Sequence, residues 1–242
     1  MKCIFTCEHA SNEVPSRYAH IFEGENGILA THRAYDSGAE KLARQLGQSC
    51  GAAVYCGAIS RLLIDLNRSP SNRKSLFSPY SRKLLHQERE LLRQHYYIPY
   101  REKVENVVRQ AVDQGSPVLH ISVHSFASVR NGRVRQADIG LLYDPARNNE
   151  KLLCAFLLSL FREKAGSLMV RRNYPYRGNT DGFNTFLRQR LPANLYAGVE
   201  IEMNQALPQT GEKYRAAVDV LIEGIGCILQ CENFAGVTAL EW

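Results

Sequence analysis

Ionisable residues stand at or just after the ends of several apolar segments of this chain. They are Glu8 and His9 after "KCIFTC", Asp65 and Arg68 in "RLLIDLNRS", His124 in "VLHISVHSF", and Glu200 and Glu202 in "GVEIEMNQ", and the neutral polar residues Asn67 and Asn204 accompany them. Two histidines among carboxylates are typical of a catalytic zinc site, which uses three protein ligands and leaves one position open for water. A further carboxylate off the metal would serve as general base and acid, and an arginine would bind an anion.

Each of these residues also has an ordinary structural explanation. A single histidine in an apolar strand such as that of His124 is most often hydrogen-bonded within the core, and we interpret His120, which is deeper in the same strand, as structural. Asp36 in "HRAYDSG" is most simply a helix cap, as Ser37 could be. Arg68 alone would be a surface charge. The functional interpretation therefore rests on the coincidence of all these residues at segment ends.

Helical and strand patterns alternate along the chain and must position these residues. Apolar spacing predicts helices over residues 37–50, 148–165 and about 210–230, and a long polar helix over 81–114 with Pro99 as its candidate break. Short apolar runs predict strands at "AAVYC", "RLLIDLN", "PVLHISVHSF", "DIGLLYD", "SLMVRR" and "YAGVEIEMN". This alternation indicates an α/β protein with a mainly parallel or mixed sheet and helices on both faces. Ligands of such sheets bind at the carboxyl ends of the strands.

Composition narrows the class of protein. The chain has 242 residues with 45% hydrophobic and 22% charged, which are ordinary values for a globular protein, and we expect a single domain over 1–242. Seven scattered cysteines without a CxxC pair argue against a disulfide framework and a thiolate zinc site, and favour reduced thiols in a cytoplasmic protein. No signal peptide or membrane span is visible. Residues 232–242 are interpreted as either a docking tail or a disordered end.

The net charge of +6 and the pI of about 9.0 raise the possibility of nucleic-acid binding. The arginines and lysines are spread along the chain, however, and no basic block is interleaved with aromatic residues. A basic pocket for a small anion explains the excess charge equally well. We therefore expect no specific nucleic-acid partner, and the sequence does not indicate an oligomeric state.

Seven segments together resemble the N-formylglutamate amidohydrolase family. They are "TCEHASNEVP", "HRAYDSGAEKLARQL", "SRLLIDLNRS", "HISVHSF", "RQADIGLLYD", "NYPYRG" and "VEIEMNQAL", which run from about residue 4 to about residue 207. That family is similar in architecture to zinc carboxypeptidases and aspartoacylase. The resemblance implies a three-layer α/β sandwich of the phosphorylase/hydrolase type. It also implies a zinc-dependent hydrolase, with one Zn²⁺ per chain or another divalent metal in its place.

The resemblance implies roles for individual residues. It makes His9 and His124 metal ligands, with either Asp36 or Glu13 as the third. Carboxypeptidase-like enzymes use a His-x-x-Glu pair, whereas here Asn12 occupies that position and Glu13 comes one place later, so Asp36 is the preferred ligand. The residues assigned to catalysis and substrate are Glu202 or Glu200 as general base, Arg61, Asn67 and Arg68 as the anion pocket, Arg135 as a second anion contact, and Asn173 and Tyr176 as further substrate contacts.

The implied reaction is hydrolysis of the N-acyl, formyl-type amide bond of a small anionic amino acid such as N-formylglutamate. Segments such as "RQADIG" and "EMNQAL" differ from the pocket residues expected for that substrate, so another N-acyl amino acid or a small peptide is an alternative. A metal- or ligand-binding protein that kept the fold but lost turnover is a second class, since function belongs to the site and not to the fold. The presence of both histidines and both late glutamates favours the enzyme.

Overall fold

A mixed sheet of six strands forms the centre of the molecule in a computed structural model, which describes residues 1–239. Its strands are β1 (Lys2–Cys7), β2 (Ala53–Cys56), β3 (Val118–Phe126), β6 (Ile139–Leu142), β7 (Val170–Arg172) and β8 (Tyr196–Asn204). Their spatial order is β2-β1-β3-β8-β6-β7, and all neighbouring pairs are parallel except β6 with β8. A separate antiparallel hairpin consists of β4 (Val129–Arg130) and β5 (Arg133–Val134). The predicted mixed, mostly parallel sheet is confirmed.

Helices cover both faces of this sheet. They are α1 (Ala39–Ser49), α2 (His86–Leu92), α3 (Ile98–Asp113), α4 (Asn148–Lys164), α5 (Phe183–Arg188) and α6 (Glu212–Gln230). The buried residues of α1, α4 and α6 join one side of the sheet in a single core, and those of α3 and α5 join the other side. The layers are helix, sheet and helix, as expected for the α/β class.

Strand alternation decides which side chains reach which face. Phe5 and Cys7 of β1 pack into the α1/α4/α6 core, whereas Ile4 packs into the α3/α5 core. In β3, Val123 likewise belongs to the first core and Val118 to the second. Because side chains alternate with a period of two, the even-numbered residues of β1 and β3 face the α3/α5 side. The ionisable side chains at the ends of these strands follow the same alternation.

The segment "RLLIDLN" is not a strand, so that prediction was wrong. Residues 61–67 form turns, and Leu63 and Ile64 are fully buried in a separate apolar cluster rather than in the sheet. Arg101 of α3 donates from Nη1 to the carbonyls of Leu66 at 3.0 Å and Arg68 at 3.3 Å. A side chain thus satisfies backbone groups that a sheet ladder would otherwise pair.

Residues 81–114 contain two α-helices, and the interruption between them lies next to Pro99, the predicted break. A short 3₁₀ turn, Ser81–Lys83, precedes α2, and a π-helical turn, Arg93–Tyr97, joins α2 to α3. Pro99 is the second residue of α3, which follows the π-helical turn directly. The interruption therefore occurs just before the proline.

The start of α1 differs from the predicted cap. The N-cap residue is Gly38, and no side chain caps the helix. Gly38 has φ +81°, and a Cβ there would lie 3.0 Å from the Met203 side chain, so the position favours glycine. Asp36 contributes its carbonyl, which accepts from the Ala39 N–H at 3.1 Å. Its carboxylate is therefore free to point elsewhere.

The end of the described chain packs against the core. Phe234–Ala239 forms a 3₁₀ helix whose Phe234 and Val237 side chains are buried in the α1/α4/α6 core. Residues 240–242, also part of the segment left open between a docking tail and disorder, lie outside the described residues. All seven cysteines are free thiols. Within residues 1–239, no helix is both long and apolar enough to cross a membrane.

Candidate active site

The carboxyl ends of β1, β3 and β8 meet at one edge of the sheet. These three strands are adjacent and parallel, and the register places His124 of β3 beside Glu202 of β8. His9 follows β1 by two residues, and Asp36 lies just before α1. All four of these side chains line a single cavity of about 530 Å³. The topology thus assembles residues that are far apart in the sequence.

Three buried side chains meet at the floor of this cavity. Asp36 Oδ2 lies 3.2 Å from His9 Nδ1 and 2.9 Å from His124 Nδ1. The two imidazole rings are 4.9 Å apart between centroids. One donor atom from each of the three residues lies within 4.8 Å of the other two, an arrangement that could hold a metal ion. Two imidazole nitrogens and one carboxylate oxygen are also the donor types of a three-ligand zinc site.

The far nitrogen of each imidazole is held by a second carboxylate. His9 Nε2 donates to Asp65 Oδ1 at 2.7 Å. His124 Nε2 lies 3.2 Å from Glu8 Oε2 and 2.9 Å from the hydroxyl of Ser122, which itself donates to Glu8 at 2.6 Å. Both nitrogens of each imidazole therefore face a carboxylate oxygen, that of Asp36 at Nδ1 and that of a second acid at Nε2. Carboxylate partners of this kind orient the histidine ligands of metal sites.

The buried histidines and the buried carboxylates of the site stabilise each other's charged forms. Burial alone would raise the pKa of Asp36, but the charge of His9 and the hydrogen bond from His124 hold it well below its usual range. The pKa of Glu8 is lowered against its burial by the hydrogen bond and charge of His124 and by Ser122. In turn, hydrogen bonds to Asp36 and Glu8 raise the pKa of His124 despite its burial. The buried carboxylates therefore favour a positive charge at their centre.

Glu202 differs from the other buried acids because it lacks a compensating partner. Its side chain is 5% exposed, and Oε2 is buried without a hydrogen-bond partner among residues 1–239. Burial raises the pKa of Glu202 to about 8, the cause being desolvation of the charged form. Burial also raises the pKa of Glu200, which lines the same cavity two residues earlier on the same face of β8. Glu202 is the one of the two aligned with His124.

The predicted anion pocket forms one wall of the cavity. Arg61 Nη2 donates to Asp65 Oδ2 at 2.8 Å, and its Nη1 lies 3.5 Å from Asp36 Oδ1. Arg68 Nη1 donates to the carbonyl of Asp181 at 2.5 Å. Asn67 accepts from the backbone N–H of Phe183 at 2.7 Å, which fixes its amide. Arg61, Arg68 and Asn67 are all brought to the cavity.

Arg135 and Tyr176 form another part of the cavity wall. Both line the cavity, and the Arg135 guanidinium lies 3.4 Å from the Tyr176 hydroxyl. Arg135 precedes β6, which runs antiparallel to β8, so the beginning of β6 lies beside the end of β8. Gly140 of β6 leaves room for the backbone of Tyr174, because a Cβ there would lie 2.0 Å from the Tyr174 carbonyl oxygen and 3.2 Å from the Glu202 Cβ. The reversed strand thus carries Arg135 to the same edge as the carboxyl ends.

Two predicted site residues are not brought to the cavity. Glu13 is exposed, lies outside the cavity lining, and contributes its carbonyl to the Ser60 N–H at 2.9 Å. Asn173 is also outside the lining. Its side-chain oxygen accepts from the N–H groups of Tyr143 at 3.1 Å and Gly178 at 3.0 Å, so it fixes the turn that carries Tyr176. Asn173 has φ +49°, a conformation that asparagine tolerates better than most residues.

Sequence reasoning missed the carboxylates behind the histidines. Asp65 and Glu8 were visible beside apolar segments, but they were not assigned roles in the site. The signal that could have found them is an acid embedded in a strongly apolar run, such as Asp65 between Ile64 and Leu66, because such an acid needs a buried partner. His32, in "HRAYDSG", was noted but given no role, and other missed residues of the cavity wall are Arg33, Arg130, Arg177, Thr180 and Asp181.

The fold is that of an α/β protein, and its cavity brings a buried histidine–carboxylate group beside an arginine-lined wall. A model of the N-formylglutamate amidohydrolase family matches residues 1–208, and the chain belongs to that family. The family supports an amidohydrolase function, the hydrolysis of an amide bond. The resemblance found in the sequence is thereby confirmed.

Two solved structures are similar over nearly the whole chain. One is a gene product of Agrobacterium tumefaciens, with a TM-score of 0.78 and 28% sequence identity over 94% of this chain and 91% of the other. The other is N-formylglutamate amidohydrolase from Ralstonia eutropha JMP134, with a TM-score of 0.70 and 18% identity over 92% of each chain. No curated protein matches the chain. At these identities the solved structures support the fold.

Proposed function

We propose that this protein is a metal-dependent amidohydrolase that cleaves the N-formyl amide of a small carboxylate-bearing amino acid such as N-formylglutamate. The observation that carries the proposal is the buried group of His9, Asp36 and His124, with the unpartnered carboxylate of Glu202 beside it. The arginines of the cavity wall supply affinity for an anionic substrate. Family membership supports the amide bond as the target.

His9, Asp36 and His124 would hold the metal, and we propose Zn²⁺. The residues fit such an ion because both Nε2 atoms contact carboxylates, while the donor atoms of His9, Asp36 and His124 lie within 4.8 Å of one another. When bound, the ion supplies Lewis acidity towards the acyl oxygen and acidifies a water molecule. Glu13 is not proposed as a ligand, because it is exposed and lies away from this group.

Glu202 would carry the proton during hydrolysis. Its position beside His124 lets it accept a proton from the attacking water and pass it to the departing nitrogen. The absence of a hydrogen-bond partner for Oε2 within residues 1–239 leaves that oxygen available to a water or a substrate N–H. Glu200 remains the alternative base, since it faces the same cavity.

The arginine wall would orient the substrate. Arg68 and Asn67 hold a substrate carboxylate, and this fixed geometry places the formyl carbon against the metal group and Glu202. Arg61 lies between Asp36 and Asp65 and can add positive charge where the oxyanion develops. Arg135, braced by Tyr176, would contact a second substrate carboxylate. Asn173 acts indirectly, by fixing the turn before Tyr176.

Release of formate from N-formyl-L-glutamate, before and after metal removal, tests the proposal. We expect turnover by the zinc-loaded protein, loss of turnover after dialysis against a chelator, and recovery when zinc is returned. A parallel panel of N-acetyl and N-succinyl amino acids defines the acyl group. Turnover that survives complete metal removal, checked by elemental analysis, would contradict the metal role. Absence of turnover on the whole panel by a zinc-loaded protein would favour a binding protein on this fold.

Replacing Asp65 with asparagine is expected to weaken metal binding by about 10- to 100-fold, the usual effect of losing a carboxylate behind a histidine ligand. The reason is that Asp65 holds the Nε2 of His9 at 2.7 Å. Zinc affinity measured by chelator competition checks this. The matched control is Asp181→Asn, an acid of the same cavity that binds the Ser69 N–H and the Asn72 amide and contacts neither histidine. Equal losses in both variants would contradict a specific role for Asp65.

A further inference from the structure

A second cavity adjoins the first at the β4–β5 hairpin. Its volume is about 540 Å³, and its wall is formed by Arg130, Asn131, Arg133, Val134, Arg135 and Tyr174. Arg130 and Arg135 also line the catalytic cavity, so the two spaces share a wall. The two cavities therefore adjoin at these two arginines.

The second cavity is positively charged without compensation. No acidic residue lines it, and no ion pair joins Arg130, Arg133 or Arg135 to an acid within residues 1–239. The contrast is with Arg61 of the catalytic cavity, which is paired with Asp65 and Asp36. Uncompensated guanidinium groups that converge on one space form a site for carboxylates, because each offers several donors in a planar fork.

The hairpin itself holds two like charges together. Arg130 and Arg133 are directly opposite each other in the β4–β5 pair. Like charges in that position destabilise a strand pair. The turn between them, Asn131 and Gly132, has φ +50° and +72°, which is the conformation of a tight two-residue hairpin turn. The backbone thus keeps the two positive charges close together. An anion bound between them would reduce their repulsion.

Arg135 is held in place between the two cavities. Its guanidinium lies over the rings of Phe126 at 5.5 Å and Tyr176 at 5.3 Å and contacts the Tyr176 hydroxyl at 3.4 Å. Packing against aromatic rings restricts the rotamers of the arginine before any ligand binds. Binding an anion there then costs less conformational entropy.

We propose that the second cavity is a subsite for an additional carboxylate, so that the enzyme accepts N-formyl dipeptides whose second residue is acidic. This inference rests on the proposed function. N-formylglutamate carries two carboxylates, which the catalytic cavity can bind through Arg68 and Arg135. A formyl-glutamyl-glutamate carries three, and the third would reach Arg130 and Arg133. The specificity is thus for an elongated anionic substrate, and the hairpin arginines determine it.

The test compares N-formyl-Glu-Glu with N-formyl-Glu-Gln, both α- and γ-linked, in zinc-loaded wild type and Arg133→Gln. Arg133 lines the second cavity and not the first. We expect the wild type to favour the acidic peptide in kcat/KM and Arg133→Gln to reduce that preference about fivefold, the worth of one exposed charge pair. The control is Arg215→Gln, an exposed arginine of α6, which should preserve the preference.

Outcomes separate this inference from the proposed function. Turnover of N-formylglutamate with no preference for the acidic dipeptide in either linkage, or an unchanged preference in Arg133→Gln, overturns the subsite alone. Lack of all turnover overturns the proposed function instead. In that case calorimetric binding of Glu-Glu against Glu-Gln still decides the subsite, which predicts tighter binding of Glu-Glu that Arg133→Gln weakens. Equal binding of the two peptides overturns it.

Discussion

Replacing Glu202 with glutamine is expected to lower kcat for N-formylglutamate by about 10²- to 10⁴-fold, the contribution of a positioned general base. Glutamine keeps the size of the side chain but cannot accept the proton. The metal group should remain intact, because Glu202 makes no hydrogen bond to it among the described residues. Steady-state kinetics alongside elemental analysis check both halves of this expectation.

Glu200→Gln is the matched control, since Glu200 lies on the same face of the same strand and lines the same cavity. We expect a much smaller loss of kcat in that variant. If Glu202→Gln keeps near-full turnover with one metal bound, the assignment of the base is wrong. If Glu200→Gln shows the larger loss, the base is Glu200.

The rise of kcat/KM on the acidic side of its pH profile should depend on Glu202. Burial raises the pKa of this carboxyl to about 8, and a bound divalent cation nearby lowers it. The active form of a base is deprotonated, so kcat/KM should rise with pH through a pKa below 8. Glu202→Gln should remove that rise from its residual activity. A rise that persists unchanged in the variant would assign the titration to another group.

Replacing Glu150 with glutamine is expected to destabilise the protein by about 3–5 kcal/mol, the cost of leaving one member of a buried ion pair uncompensated. Glu150 is fully buried and accepts from Arg188 Nε at 2.9 Å. It also accepts from the backbone N–H groups of Asp144 at 2.9 Å and Gly198 at 3.0 Å. Glutamine retains some of these bonds but leaves the buried guanidinium charge without its partner. Urea denaturation followed by circular dichroism measures the change.

The control is Glu223→Gln, which removes an exposed ion pair between Glu223 and Lys164 at 2.6 Å. Exposed pairs contribute little to stability, so this variant should unfold close to the wild-type midpoint. Comparable destabilisation of the two variants would show that burial of the Glu150–Arg188 pair has no special effect. Both measurements are best made with metal removed, because a bound ion adds its own stabilisation.

The spacing of apolar residues and the residue composition predicted the long buried strands well. They could not decide for every apolar run whether it forms a strand or a loop. "VLHISVHSF" became a strand because its neighbours on both sides are strands, whereas "RLLIDLN" is equally apolar and is a loop. Leu63 and Ile64 bury their side chains in a second apolar cluster, and an apolar run reports burial rather than sheet pairing. The distinction depends on Arg101, about 35 residues further along the chain, which satisfies the loop carbonyls.

The candidate site was predictable where it depends on strand ends and not where it depends on strand direction. Parallel neighbours place His9, His124 and Glu202 at one edge, as expected from alternating helices and strands. Spacing along the chain could not decide between Asp36 and Glu13, because both follow His9 in irregular segments whose paths only the packed structure defines. Nor could it show that β6 is reversed and delivers Arg135 by its beginning.

The place of β1 between β2 and β3 has a consequence for synthesis of the protein. β1 pairs with β2 on one side and with β3 on the other, and β3 begins at Val118, more than a hundred residues after β1 ends at Cys7. At about 5–20 residues per second, a ribosome needs roughly 6–20 s to make that stretch. During this interval one edge of β1 lacks its native neighbour, and such edges invite pairing with other chains. His9 and Asp36 likewise precede His124 in the chain, so the three side chains of the candidate metal site can come together only after β3 emerges.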